Sequence, residues 1–153
     1  PVAREKWIVQ RDAHGAIIGR RKSPKRGAVL DVVGELVSFP ALINHPHLTL
    51  DVLLIQEDEL RRRHEGRAWR RRGWMIEERR LIDVVGQQRF ESAHDLLTLL
   101  PDDLPEPFTT ADIAEAAARP RRNAQQLAYC LREAGAITQT GKRGNAFLYT
   151  RVS

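Results

Sequence analysis

Arg121, Arg122, Asn123, Gln125 and Gln126 lie close together in the chain, and Lys142, Arg143 and Asn145 follow in a second, shorter cluster. An arginine can donate two parallel hydrogen bonds to the edge of a guanine, and an Asn or Gln amide can pair in the same way with adenine, so the first cluster holds side chains able to read bases. The second needs to supply only positive charge and hydrogen-bond donors to phosphate. This is chemistry of recognition, not of bond making. The chain has no Gly-rich phosphate loop, no Gly-x-Ser-x-Gly elbow and no His-Glu-x-x-His helix. It therefore carries no catalytic motif, and no cofactor or metal is expected.

The surrounding residues specify elements that would hold these clusters. Thr109 or Thr110 can N-cap a short helix with Ile113, Ala114 and Ala117 on one face and Asp112 in its first turn, where a negative charge suits the helix dipole. Arg119-Pro120 breaks that helix, and a second runs from about Arg121 to Glu133, stopped by Gly135. Its Ala124, Leu127, Ala128 and Leu131 recur at i, i+3, i+4 and i+7, a buried stripe that leaves the polar cluster facing out. Ala136-Ile137-Thr138, a Gly-Lys-Arg-Gly-Asn turn at 141–145 and Ala146 to Thr150 then read as a β-hairpin with a cationic tip. In this order of elements the last third of the chain, Phe108 to Tyr149, resembles winged helix-turn-helix DNA-binding domains. The resemblance implies that the helix 121–133 enters the major groove while the loop around Lys142 and Arg143 follows a phosphate backbone. The implied partner is nucleic acid, DNA ahead of RNA. Winged helices also dimerise or dock proteins, so an interaction module, homodimeric or not, stands as an alternative.

Composition sets outer limits. The 153 residues contain 25 Lys and Arg against 20 Asp and Glu, a formal charge of +5 that suits a polyanionic partner without proving one. A single cysteine, Cys130, excludes an intrachain disulfide and any multi-cysteine zinc site, which fits a reducing, cytoplasmic location. Beside the apolar stripe, it reads as a small buried hydrophobe. No apolar run is long enough to span a bilayer, so no membrane partner is expected. The opening Pro1 and the early strand-like Trp7 to Gln10 read as the start of a fragment whose upstream part is missing.

Charge is unevenly spread. Arg20, Arg21, Lys22, Lys25 and Arg26 form one basic block, and residues 61–72 hold seven arginines, with Arg70, Arg71 and Arg72 at its end. These two groups are candidate secondary phosphate contacts. Trp69 and Trp74 interleave with the second block and could stack on bases, but large aromatics usually sit against a core, and Glu57, Asp58, Glu59, Glu77 and Glu78 can neutralise the arginines locally. Residues 90–107 reverse the bias, with no Lys or Arg, and end in Pro101, Pro105 and Pro107. Prolines at that density exclude a helix or central strand. The expected organisation is α+β: a mixed α/β module over 1–100, an exposed proline-rich linker over 101–107, and a winged-helix domain over 108–153.

Within the first module Glu5 to Arg11 and Ala16 to Lys22 can pair across an Asp12-Ala13-His14-Gly15 turn. Ala28 to Ser38 has helical spacing, Leu48 to Ile55 and Trp74 to Val85 read as strands, and Ser92 can cap a helix containing Leu96, Leu97, Leu99 and Leu100. A hairpin, a helix and a strand also occur in metal-dependent nucleases. The available acids, Asp31, Glu35, Asp51, Glu57, Asp58 and Glu59, have permissive spacing, but the second strand lacks an acid-x-lysine signature. The chain could thus be the C-terminal portion of a DNA-processing enzyme with its catalytic residues upstream. Asn44-His45-Pro46-His47 offers two imidazoles, yet reads more simply as a polar turn.

Overall fold

Asp12 organises the first pair of strands. Its carboxylate accepts hydrogen bonds from the backbone N–H of His14 and Ala16 (2.8 and 2.9 Å), and Gly15 takes the positive φ of 86° that closes the turn. The computed structural model describes residues 1–66 and 69–153, the side chain of Arg71 excepted, and Arg67 of the arginine block lies outside the described residues. The chain is α+β, with a four-stranded sheet, a two-stranded sheet and few helices. It divides into two compact units, one built from residues 2–28 and 53–87, the other from 29–52 and 88–153 together with Pro1.

The first unit is a sheet. β1 (Val2–Arg11) pairs antiparallel with β2 (Ile17–Lys22), as the turn requires, and parallel with β3 (Leu50–Arg63), in a register running from Val2 opposite Leu53 to Arg11 opposite Arg62. β4 (Trp74–Phe90) lies on the far side of β3, giving the order β2-β1-β3-β4. Both long strands run past the expected limits, so Arg61, Arg62 and Arg63 lie on a strand. Ala3, Ile8, Val9 and Leu60 are buried here, and with them the carboxylates of Glu57 and Glu59. Glu59 is fully buried; it accepts hydrogen bonds from Lys6 Nζ (2.9 Å) and from Arg61, with Arg79 at 3.6 Å. Burial raises its pKa, but the bonds from Lys6 and Arg61 outweigh that and hold the carboxyl below its ordinary value.

The second unit surrounds an apolar core in which Val33, Ile43, Phe90, Leu96, Phe108, Ile113, Leu127, Leu131 and Ile137 are fully or almost fully buried. The periodic stretch 28–38 forms a 3-10 turn (Val29–Val32) and only four residues of α-helix, α1 (Val33–Leu36); 3-10 turns at Pro40–Asn44 and Asp95–Leu99 replace the other short apolar runs. Apolar spacing marks a buried face but does not set the hydrogen-bond pattern of so short a piece. Ser92 Oγ accepts a bond from the Asp95 backbone N–H (3.3 Å), but the expected α-helix is a 3-10 turn with His94 at its N-cap position and no side-chain cap. Asn44 joins separate parts of this unit, donating to the Ala134 carbonyl (2.8 Å) and accepting from the Ala93 N–H (3.3 Å).

Then follow α2 (Thr110–Ala116), α3 (Arg121–Glu133), β5 (Ile137–Arg143) and β6 (Ala146–Arg151). Thr109 is the N-cap of α2 in a capping box with Asp112. Gly135, at φ 84°, follows the end of α3. A bridge between Phe108 and Tyr149 adds one short rung to the hairpin ahead of the helices.

The units do not divide where charge and proline suggested. Residues 101–107 are mostly exposed, as expected, but they are tied down: Leu104 is buried, the Pro101 carbonyl accepts from Arg151 Nη2 (3.3 Å), and Glu106 accepts from the Arg151 backbone N–H (2.6 Å) and pairs with its guanidinium. Prolines prevent this segment from being regular, yet irregular chain can still be tied down by side chains. Residues 29–52 and 88–100, assigned from sequence to a separate module, belong to the unit that holds α2, α3 and the hairpin. No helix among the described residues is long and apolar enough to cross a membrane.

Candidate nucleic-acid interface

The second unit has a groove of about 610 Å³ between the outer face of α3, the start of α2 and the hairpin. α3 contributes Arg121, Gln125, Tyr129 and Arg132, one stripe flanking the buried Ala124, Leu127, Ala128 and Leu131. From the hairpin come Arg143, Asn145 and Phe147, and from α2 Thr110. Three guanidiniums, two amides and three aromatic rings, those of Tyr129, Phe147 and the buried Tyr149, therefore share one open concavity.

Local structure fixes several of these groups. The carboxylate of Asp112 accepts from the Thr109 backbone N–H (2.7 Å) and from its hydroxyl (2.8 Å), and also from Arg143 Nη2 (3.0 and 3.2 Å to its two oxygens). Partial burial raises the Asp112 pKa, but the Thr109 bonds and the Arg143 charge outweigh it and hold the carboxyl below its usual value. One carboxylate thus starts α2 and positions a cation of β5. Arg132 pairs with Glu133 (2.7 Å) and lies over the Tyr129 ring, 5.7 Å from its centroid. Lys142 stands 5.0 Å from the Phe147 centroid. α3 begins after Pro120 without a side-chain cap and with no acid of its own in its first turn, although the Asp31 carboxylate accepts from Asn123 there (3.3 Å).

The expected residues are only partly brought together. Arg121, Gln125, Arg143 and Asn145 line the groove; Arg122 and Lys142 are exposed but do not line it. Gln126 is half-buried. Asn123 faces inward and donates from Nδ2 to Asp31 (3.3 Å), because helical spacing turns it toward the flank of the buried stripe, and it is not an outward reader. Arg143 is not a loop residue: β5 continues through it, leaving a two-residue turn, Gly144-Asn145, in place of the expected five, with Gly144 at φ 62°. Tyr129, Arg132, Phe147 and Thr110 were not anticipated. Tyr129 and Arg132 follow Gln125 at i+4 and i+7, so extending the polar stripe past the first turn would have found them.

The secondary basic residues are in the other unit, and three of them are paired with acids. Arg20 pairs with Asp58 (3.0 Å), Lys22 with Glu5 (2.6 Å) and Arg26 with Glu5 (3.7 Å), while Arg21 and Lys25 are exposed. Arg62 pairs with Glu77 (3.1 Å). Arg70 lies 5.2 Å from the Trp69 centroid, Arg72 has a positive φ of 52°, and the Arg71 side chain lies outside the described residues. Trp69 itself is 81% exposed, against the expectation of partial burial, since the β3–β4 turn projects it beyond the small core of its unit. Trp74 is half-buried, as expected.

Among the acids weighed for a nuclease, Asp51 pairs with Arg89 (2.9 Å), Glu57 with Arg4 (3.5 Å) and Asp58 with Arg20, and Asp31 lies 4.0 Å from Arg119. Among the described residues no group of three or more His, Cys, Asp or Glu is placed to hold a metal ion. His45 and His47 stack edge to face, and the His47 N–H donates to His45 Nδ1 (3.2 Å), as in a polar turn.

An α+β chain with a four-stranded sheet in one unit and this groove in the other is the class that fold and site define. The chain belongs to the family described as Domain of unknown function (DUF8091), whose model matches residues 1–91. That match contains the whole sheet unit and ends before the groove. An uncharacterized protein of Treponema pallidum (strain Nichols) is 27% identical over 151 residues, covering 99% of this chain and 59% of the relative. The chain thus spans 59% of the length of that relative, and the similarity runs through the groove. No solved structure matches.

Proposed function

We propose that the chain is a DNA-binding protein, or the DNA-binding part of a larger one, and that it holds duplex DNA through residues 108–153 acting as a winged helix. The carrying observation is the groove itself, where Arg121, Gln125 and Arg132 of α3 share a concavity with Arg143 and Asn145 of the hairpin. The order of a short Phe108 rung, two helices and a hairpin supports the same reading. Arg122 and Gln125 are then the base readers, with Arg121, Lys142 and Arg143 on phosphate. A cytoplasmic site of action accords with the free, buried Cys130.

The test is a salt titration of duplex binding by the full chain and by Arg121→Gln and Lys142→Gln. Each lost phosphate contact should reduce the slope of log affinity against log salt by about 0.9. Unchanged slopes in both variants, with duplex still bound, would move the interface elsewhere on the chain. Absence of duplex binding at low salt would favour the interaction-module reading.

A further inference from the structure

Tyr129 and Phe147 are the two aromatic side chains that line the groove and stay substantially exposed, at 40% and 41%. Rings that serve a core are buried, as Phe108 and Phe90 are in this unit. Nor does phosphate holding call for rings, since charge and N–H donors suffice. The bases of an intact duplex are stacked on one another, and their faces are not available to a protein ring. A cation lies over each ring, Arg132 (itself paired with Glu133) at Tyr129 and Lys142 at Phe147, so a base stacking on the opposite face of either ring would find a positive group close by for the adjoining phosphate. Exposed aromatics interleaved with cations are how proteins grip unpaired nucleotides. A concavity of about 610 Å³ also lies within the range of roughly 300–1,000 Å³ that encloses small organic groups.

We infer that the groove stacks an unpaired nucleobase on Tyr129 or Phe147, so that the substrate class is duplex DNA interrupted by an unpaired nucleotide, as at a bulge or a frayed end. This rests on the DNA-binding reading above and narrows it. Gln125 and Asn145 lie in the same groove with amides able to meet the hydrogen-bonding edge of the extruded base, while Arg121 and Arg143 take the flanking phosphates.

The experiment compares the full chain on a blunt duplex and on the same duplex carrying one bulged 2-aminopurine, reading affinity by anisotropy and stacking by 2-aminopurine fluorescence. Aromatic stacking of one base should favour the bulged duplex by roughly 5- to 150-fold and quench the probe. Phe147→Leu and Tyr129→Leu should lower the ratio of the two affinities and weaken the quench, and Phe147→Tyr should restore both. Equal affinity for the two duplexes with an unquenched probe overturns the inference and leaves duplex binding standing. Failure to bind either duplex at low salt overturns both readings, and that result is distinguishable from the first. The wild-type quench requires no variant, so it decides the matter even if a substitution unfolds the unit.

Discussion

Asp112 couples the stability of α2 to the charge of the groove, so replacing it with Asn should move stability and DNA affinity in opposite directions. The side chain accepts from the Thr109 N–H and hydroxyl and from Arg143. An amide keeps one acceptor for the cap but loses the charge. A full capping loss costs about 0.5–2 kcal/mol, and half of that is a fair figure for Asn. The Arg143 pair adds only a few tenths of a kcal/mol, because the arginine side chain is 60% exposed and water screens it. The expected destabilisation of D112N at neutral pH is therefore about 1 kcal/mol. Its pH dependence has a definite sign. The folded-state pKa of Asp112 is depressed, so its stabilisation is fully present above the unfolded value of about 3.9 and is lost as pH falls through the lower folded value. The difference between wild type and D112N should shrink as pH drops below about 4. Affinity should respond the other way, because Arg143 is freed from a neutralising carboxylate, and the salt slope should steepen by up to about 0.9. Denaturant melts over pH and anisotropy over salt measure both. Loss of stability with an unchanged or shallower salt slope would refute a phosphate contact by Arg143.

Gly27→Ala should destabilise the sheet unit by about 1–3 kcal/mol in denaturant melts, since an added Cβ would sit 2.5 Å from the Arg4 backbone nitrogen. Leu127→Ala, at the fully buried centre of α3, should cost about 2–5 kcal/mol, and an unchanged melt would place this helix outside the core. Cys130 is buried and its thiol is pushed up to about 11, so iodoacetamide at pH 8 should alkylate it only after unfolding, which mass spectrometry reads directly. Arg122→Ala and Gln125→Ala should each cost about 1–3 kcal/mol on a selected duplex and little on a scrambled one; equal losses on both would show that neither reads bases.

Helix α3 was legible because thirteen residues with one apolar stripe, a preceding proline and a following glycine leave few alternatives, and its predicted bounds coincide with Arg121–Glu133. The Asp12 turn was legible for a similar reason, since it is a short local motif. What escaped were long-range relations. Nothing near Val2 announces a parallel partner at Leu53, and nothing near Leu104 or Glu106 announces that Arg151 ties them down. Proline and acidity correctly marked residues 101–107 as irregular, but irregular is not the same as free. The groove was half legible. Residues at the start of α3 follow from helical spacing, whereas Arg143 paired to Asp112, and Phe147 turned into the concavity, depend on how the hairpin returns over α2. Asn123 shows the limit of a face read from periodicity, since a residue at the edge of the stripe can turn either way and here it turns to Asp31.

Backbone amide and arginine side-chain NMR shifts of the full chain, titrated with a short duplex, test the central claim most directly. Binding through the groove predicts shift changes concentrated at Arg121, Arg122, Gln125, Arg132 and residues 142–147, with little change along Arg20 to Arg26. Changes centred on that basic block or on the turn holding Trp69, with α3 and the hairpin undisturbed, would contradict it.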